Sequence, residues 1–219
     1  MNALMIYCAG GFGREVMDVA RRAQAREPRW SEILFIDDVC TTESRYGARV
    51  MSGDAAFAWL QEHPGEVVIA SGEPAVREKL RGRLEARGIP FGRVLDPTVV
   101  LSDTARLAPG AVVTPMCSIS SEAVLETNAC VNTMSIVGHD VVVGENAVIS
   151  SMVNLGGGVR IGRNSYVGMG ALLKEGVSVG EDTIIGMGAV VYNDIPAGVI
   201  ALGNPARPMR PNDDRKVFK

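Results

Sequence analysis

Hydrophobic residues recur at an unbroken six-residue interval over residues 95–191. From Leu95, Leu101 and Leu107, through Val143, Ile149 and Leu155, to Val179, Ile185 and Val191, seventeen consecutive positions at this spacing hold Leu, Ile or Val. An amphipathic helix places its apolar residues every three or four positions and a half-buried strand every two, so neither has this period. A short strand that turns one aliphatic side chain inward and then bends does have it. Three such hexads close a triangular coil of eighteen residues, a parallel β-helix. The fourth residue after each anchor fits the same geometry: Val99, Ala105, Ala111, Cys117 and Ala123 begin a series that is small or β-branched as far as Ile195. A coil corner has room for little more.

Residues eighteen apart stack, so the hexads sort into three faces. The corners that follow Val143, Ile161 and Val179 are charged and of solvent type. The hexads opening at Val131, Ile149, Val167 and Ile185 are uncharged and increasingly rich in glycine, a surface that another chain or a long ligand could approach. On the third face stands His139, with Ser121 one coil before it and Gly157 one coil after. Its place in the hexad predicts an imidazole pointing out of the prism. The neighbouring run Gly156-Gly157-Gly158 is expected to leave backbone N–H groups bare. Past Asp194, Ile195-Pro196-Ala197-Gly198 breaks the period, and the last ten residues read as a polar, frayed end.

Ahead of the repeat the pattern changes to alternating strands and helices. Leu4 to Cys8 reads as a strand, Ala9 to Gly13 as a glycine turn, and Arg14 to Arg26 as a helix with Val16, Val19 and Ala20 on one face. A strand at Ile33 to Ile36, a short extended stretch near Val50, a helix at Ala55 to Gln61, a strand at Val67 to Ala70 and a charged helix at Pro74 to Arg87 complete a pattern that predicts a parallel sheet. With 219 residues the chain holds this α/β domain and the β-helix, divided as 1–92 and 93–219. Between the first strand and helix, Ala9-Gly10-Gly11-Phe12-Gly13 lets backbone approach a ligand and aims a helix N-terminus at an anion such as a diphosphate. The dinucleotide fingerprint asks for glycine at Cys8 and an acidic residue at the end of the second strand, where Asp37 and Asp38 stand. Ser71, Gly72 and Arg77 are expected at the same carboxyl edge, where open α/β sheets bind ligands. The alternative is a glycine turn needed only for close helix packing.

Composition narrows the partners. A net charge of -3 and a pI near 5.5 provide no basic field for nucleic acid or an anionic membrane, and no apolar run is long enough to span a bilayer. The apolar stretch Met1 to Tyr7 lacks the charged region and length of a signal peptide and reads as a buried first strand. Cys8, Cys40, Cys117 and Cys130 have no paired metal spacing and are read as reduced thiols of a cytoplasmic protein. The repeat contains one histidine, too few for a zinc site, so no metal is expected. An imidazole can take a proton near neutral pH, and Asp140, next in the chain, could hold its tautomer. The alternative is an outward polar corner that happens to be His-Asp.

The residues Ala9 to Val16, Phe35-Ile36-Asp37-Asp38, Ile69 to Gly72 with Arg77, Asn132-Thr133, Gly138-His139-Asp140, Ile185 to Val191 and Gly203 to Arg207 together resemble the bacterial sugar acyltransferases of the sialic-acid O-acetyltransferase and bacillosamine N-acetyltransferase type. The resemblance spans nearly the whole chain. It implies a Rossmann-like α/β domain that binds a nucleotide sugar on Gly10, Gly11, Phe12, Asp37, Asp38 and Gly72, followed by a left-handed β-helix. It further implies a homotrimer with acetyl-CoA in the groove between neighbouring β-helices, lined by backbone around Gly157, Met169 and Met187. His139 then matches the general base, Asp140 the acid that sharpens it, and Asn132 a position near the reacting groups. Transfer is expected to be direct, from the thioester to a sugar hydroxyl or amine. The chain departs from the aminosugar N-acetyltransferases at Phe12 and Val148, where they often carry histidine. Other classes remain: a hexapeptide acetyltransferase acting on an amino acid such as serine leaves the glycine turn unexplained, and a nucleotide-sensing scaffold leaves the His-Asp corner unexplained.

Overall fold

The structure is a computed structural model that describes residues 2–218; Met1 and Lys219, the outer limits of the two expected domains, lie outside the described residues. At its N-terminal side, β1 (Asn2–Tyr7) lies at the centre of a sheet, and alternate residues enter two different cores. Leu4 and Ile6 pack with Val16, Met17 and Ala20 of α1 (Gly11–Arg26). Tyr7 and Met5 pack on the other side with Phe57 of α2 (Gly53–Glu62) and with Leu80 and Leu84 of α3 (Pro74–Glu85). A strand covered on both faces needs a continuous apolar run, which Ala3-Leu4-Met5-Ile6-Tyr7 supplies. With β2 (Trp30–Ile36), β3 (Ser44–Arg45), β4 (Ala48–Met51) and β5 (Gly65–Ile69), the strand order is β3-β4-β2-β1-β5. All pairs are parallel except the β3–β4 hairpin, which the sequence reading did not contain. Helix α1 begins at Gly11, three residues before the expected Arg14, so the glycine turn is itself the first helical turn.

From Val94–Leu95 to Val190–Val191 the chain winds as two-residue strands, and those as far as Leu172–Leu173 each pair in parallel with the strand eighteen residues on, as Ser118 with Ile136. Three sheets form the sides of the prism. The anchors from Val113 to Val191 are buried, whereas Leu101 is 42% exposed and Leu95 and Leu107 are half-buried, because no complete coil precedes them. At corners from Gly110 onward the chain turns on a residue in the left-handed region, three places after the anchor, such as Met134 and Asp140 at φ 60° and Asn146 at φ 58°. Asn, Asp and Gly fill most of these places because they adopt that conformation at least cost. Inward hydroxyls are satisfied by the next coil: Ser135 donates to the Ser150 carbonyl and accepts from the Val153 N–H. The break after Asp194 does not end the winding. Ile195 bridges to Val179, and Ile184 pairs with Ile200, a shortened turn that closes with a hairpin between Val199–Leu202 and Arg207–Pro211.

One side of the prism is the second layer of the α/β sheet. Val112, Cys130, Val148, Tyr166 and Ile184 point outward from its strands into the core built by Leu4, Ile6 and α1. The uncharged face expected to be approachable by another chain or a long ligand is therefore open only along its trailing corner, because its strands are covered by the chain's own sheet. Along that corner Met116, Met134, Met152, Met169 and Met187 are exposed.

The joint between the two parts is polar as well as apolar. Arg77 is fully buried and donates to the Ile69 and Ser71 carbonyls on one side and to the Asn128 carbonyl and Oδ1 on the other. It therefore ties the loop after β5 to the β-helix and is unavailable as the ligand contact expected of it. Asn128 Nδ2 donates to Asn146, Asn146 to Asn164, and Asn164 to Glu78, so a ladder of corner asparagines returns to the helix on which Arg77 stands. Each amide is buried, and losing one leaves its neighbours unpaired at about 1–3 kcal/mol apiece. On the other edge, Arg22 and Arg26 of α1 reach Asp96 and the Pro97 carbonyl. Residues 212–218 are also fastened, against the expectation of a frayed end: Asn212 donates to the Asp182 carbonyl, Arg215 pairs with Glu78 and Asp182, and Glu73 accepts from both the Val217 and Phe218 N–H groups.

Candidate active site

Two groups of residues carry chemistry, at separate places on the chain. The first is the carboxyl edge of β1. Cys8 holds the left-handed conformation, φ 84°, so the backbone adopts the turn for which the dinucleotide fingerprint uses glycine, with a cysteine in its place. Gly13 has no freedom to change, since a Cβ there would overlap the Cys8 carbonyl. In front of Gly10 and Gly11 a Cβ would meet nothing within 4 Å, which is open space for a ligand. Gly10 is the N-cap of α1 and offers no capping side chain, so the first-turn N–H groups face that space.

Asp37 closes this turn from the neighbouring strand. Its carboxylate accepts from Ala9 N–H at 2.7 Å, Val39 N–H at 2.9 Å and Cys40 N–H at 2.8 Å. Burial pushes its pKa up, but the three backbone donors outweigh that and hold it below the ordinary carboxylate value. Asp37 lines a cavity of about 580 Å³ with Gly10, Val39, Cys40, Thr41, Thr42, Ser44 and Arg45. Asp38 points elsewhere: it accepts from Tyr7 Oη, from Gly53 N–H and from Arg83, on the α2 and α3 side of the sheet, and does not line the cavity. Gly72 is not open either, because Phe218 lies against it. Phe12 packs half-buried on the α1 core. Residues Cys40 to Arg45 were missed in the sequence; their signal is a short polar stretch directly after a strand that ends at the ligand edge.

The second group is the corner between the two undocked sides of the prism, where Val137 leads through Gly138, His139 and Asp140 to Val142. As expected, His139 points outward, and its Nδ1 lies 2.8 Å from Asp140 Oδ2. With the carboxylate accepting, Nδ1 carries the proton and Nε2 presents its lone pair. The ring lies against Gly157, where a Cβ would overlap Nε2 and Cε1. Of the glycine run, Gly156 and Gly158 spend their N–H groups on the Leu173 and His139 carbonyls. Gly157 N–H alone of the three has no partner among the described residues, so the bare backbone is one donor and not three.

Substitution of Gly157 by Ala is expected to displace the imidazole with little loss of stability. The measurement is a coenzyme A and nucleotide titration beside a thermal midpoint: binding and midpoint close to wild type, with turnover reduced at least a hundredfold.

The remaining expected site residues stand on a different corner. Asn132, Met169 and Met187 follow strands of the docked side, with Asn132 Oδ1 accepting from Cys130 Sγ at 3.3 Å. Within one chain they are separated from His139 by a whole side of the prism. His139 is also opposite the docked side, so the packed core of the prism lies between it and its own glycine turn. Val148, where a histidine was missing, is fully buried against the α/β core, and an apolar residue suits that place. Burial pushes the thiols of Cys8, Cys117 and Cys130 up to about 11, which leaves them protonated and poorly nucleophilic near neutral pH. Cys40 is the exception, drawn below the ordinary thiol value by hydrogen bonds with Thr42 and then by Arg45, but it sits at the cavity over the glycine turn, away from His139. Among the described residues there is no group of three or more His, Cys, Asp or Glu placed to hold a metal ion, and no helix is long and apolar enough to cross a membrane.

Residues 3–84 match the PglD N-terminal domain, and residues 158–193 match the bacterial transferase hexapeptide repeat. The acetyltransferase domain of PglB from Neisseria gonorrhoeae, solved with acetyl coenzyme A, is 31% identical over 95% of this chain and 100% of its own, with a TM-score of 0.87. A histidine-to-asparagine mutant of perosamine N-acetyltransferase from Caulobacter crescentus, solved with CoA and GDP-perosamine, is 28% identical over 95% of this chain and 97% of its own, TM-score 0.88. WeeI from Acinetobacter baumannii is 30% identical over 95% and 100%, TM-score 0.85. No curated protein sequence matches the chain. The architecture is therefore a Rossmann-like α/β domain followed by a left-handed parallel β-helix, whose hand the six-residue period leaves open.

Proposed function

Since the chain belongs to the two-domain bacterial sugar acetyltransferase family that joins a PglD-type domain to hexapeptide repeats, we propose that it transfers the acetyl group of acetyl-CoA to the amine of a nucleotide-linked amino sugar. The observation that carries this reading is the His139 corner: an outward imidazole, oriented by a carboxylate at 2.8 Å and held against a glycine with a free N–H. His139 Nε2 takes a proton from the sugar amine as its nitrogen attacks the thioester carbonyl. Gly157 N–H donates to the oxygen as charge develops on it. The tetrahedral intermediate collapses with cleavage of the C–S bond, and the imidazolium returns its proton to the departing thiolate. No acyl-enzyme is needed, which agrees with the raised thiol pKa values.

The nucleotide sugar rests with its diphosphate on the Gly10-Gly11-Phe12 turn and its nucleoside in the cavity beside Asp37, the role assigned to Asp38 being structural. A single chain holds the two halves apart, so the working site is shared. A homotrimer, with the methionine corner of one copy set against the His139 corner of the next, brings Asn132, Met169 and Met187 to the reacting groups and forms the groove for coenzyme A. The exposed methionines support this, since their flexible thioethers suit an apolar contact with another chain or with the pantetheine arm. The setting is the cytoplasm, where acetyl-CoA is available. The reading is tested by release of free thiol from acetyl-CoA in the presence of GDP-perosamine and its UDP- and dTDP-linked counterparts, with free serine as the control acceptor. Thiol release with one of the nucleotide sugars is expected; release with serine alone overturns the reading.

A further inference from the structure

Phe218 is held in the open by an unusual amount of polar structure. The ring is 58% exposed, yet its backbone N–H and that of Val217 are both taken by the Glu73 carboxylate, at 2.7 and 2.9 Å. Three residues earlier Arg215 is clamped by Glu78 and Asp182, and Asn212 is tied to the Asp182 carbonyl. Val217 packs into the core beneath. The ring meets Tyr166 edge to face at 5.8 Å, and a Cβ on Gly72 would come within 3.1 Å of it. An aromatic that only filled a gap would be buried; this one is fixed at the rim with a face toward solvent.

The strand order says what lies beside it. The cavity of Asp37 and Arg45 follows β2, on one side of β1, and Gly72 follows β5, on the other. On that reading, a ligand whose diphosphate sits on the turn after β1 and whose nucleoside fills the β2 side has the β5 side, over Gly72, left for its third part. That part is the sugar. Resting on the reading of the previous subsection, we infer that Phe218 is a specificity-determining residue whose ring packs against the C–H face of the hexose, the glycine at 72 leaving the room in which the ring sits.

The test is Phe218→Ala, with Phe218→Tyr as the conservative variant, measured by calorimetry and by steady-state kinetics. Loss of the ring is expected to weaken binding of the nucleotide sugar that the turnover panel identifies about tenfold, equivalent to about 1.4 kcal/mol. Affinity for the matching nucleoside diphosphate, KM for acetyl-CoA and the thermal midpoint stay within error, and tyrosine restores the loss. Unchanged nucleotide-sugar binding, or an equal loss for the diphosphate alone, overturns the inference. So does a fall in thermal midpoint with binding intact, which would make the ring merely structural. Calorimetry separates the two readings: a wild-type protein that binds GDP-perosamine or a counterpart without acetylating it overturns the activity, while the comparison of sugar with diphosphate still decides the role of Phe218.

Discussion

His139→Ala will lower kcat by about 10²–10⁴-fold, the range that a positioned general base supplies, and will leave the affinity for coenzyme A and for the nucleotide sugar close to wild type. The argument is local. The imidazole is outward and oriented by Asp140, and no hydrogen bond of the coil ladder passes through its side chain; the His139 carbonyl, which alanine keeps, is what Gly158 uses. Its removal therefore takes away a proton acceptor without removing a fold contact. A kcat loss with unchanged KM values is the signature of an interaction made only in the transition state. Near-wild-type turnover in the alanine variant would end the assignment. A parallel collapse of the thermal midpoint would move His139 to the class of structural corners.

Mixing two inactive variants will restore activity. Gly11→Asp places a carboxylate in the open space before the first turn of α1, where it suits the helix N-terminus but repels a diphosphate. It is expected to raise KM for the nucleotide sugar more than a hundredfold without unfolding the domain. His139→Ala leaves that domain whole. In a site shared by neighbouring copies, co-expression of the two variants creates interfaces that combine an intact histidine from one chain with an intact glycine turn from another, roughly a quarter of them by chance. Activity of the mixture should then approach a quarter of wild type, where each variant alone has almost none. The physical reason is the prism itself: His139 stands on the corner opposite the side that the chain's own α/β sheet covers. A mixture as inactive as its components would mean that each chain works alone, and the shared-site geometry would fall.

Several features were legible from residue spacing. The hexad anchors are inward from Val113 to Val191, and the coil closes at eighteen residues, as a period of six that fits neither an amphipathic helix nor an alternating strand implies. The His139–Gly157 pair was readable for the same reason: residues eighteen apart touch, so a glycine under a histidine marks a ring lying flat. The αL position of each corner was also present in the sequence, as the Gly, Asn and Asp that recur three places after the anchors, although the reading passed over it. Other features were not readable. Arg77 looked like a ligand contact because it lies on the helix after Gly72, but its partners are the carbonyls of Ile69 and Ser71 and Asn128, fifty-one positions away. Asp37 and Asp38 are neighbours with the same chemistry, and only the alternation of a strand end sends one to the turn and the other to Tyr7 and Arg83. The segment 212–218 is polar and reads as loose, whereas its anchors Glu73, Glu78 and Asp182 belong to other elements.

By itself, then, the amino-acid order determined the repeat, its rung length, the glycine turn and the outward histidine, all set by contacts at constant separation along the chain. The tertiary structure alone decided which side of the prism is covered, which of two aspartates faces the cavity, that Gly72 lies under Phe218, and that His139 and the turn are on opposite sides of one chain. Those outcomes depend on how two separately patterned surfaces dock. Docking is governed by shape and by pairs of residues at no fixed spacing, and periodicity carries no record of it.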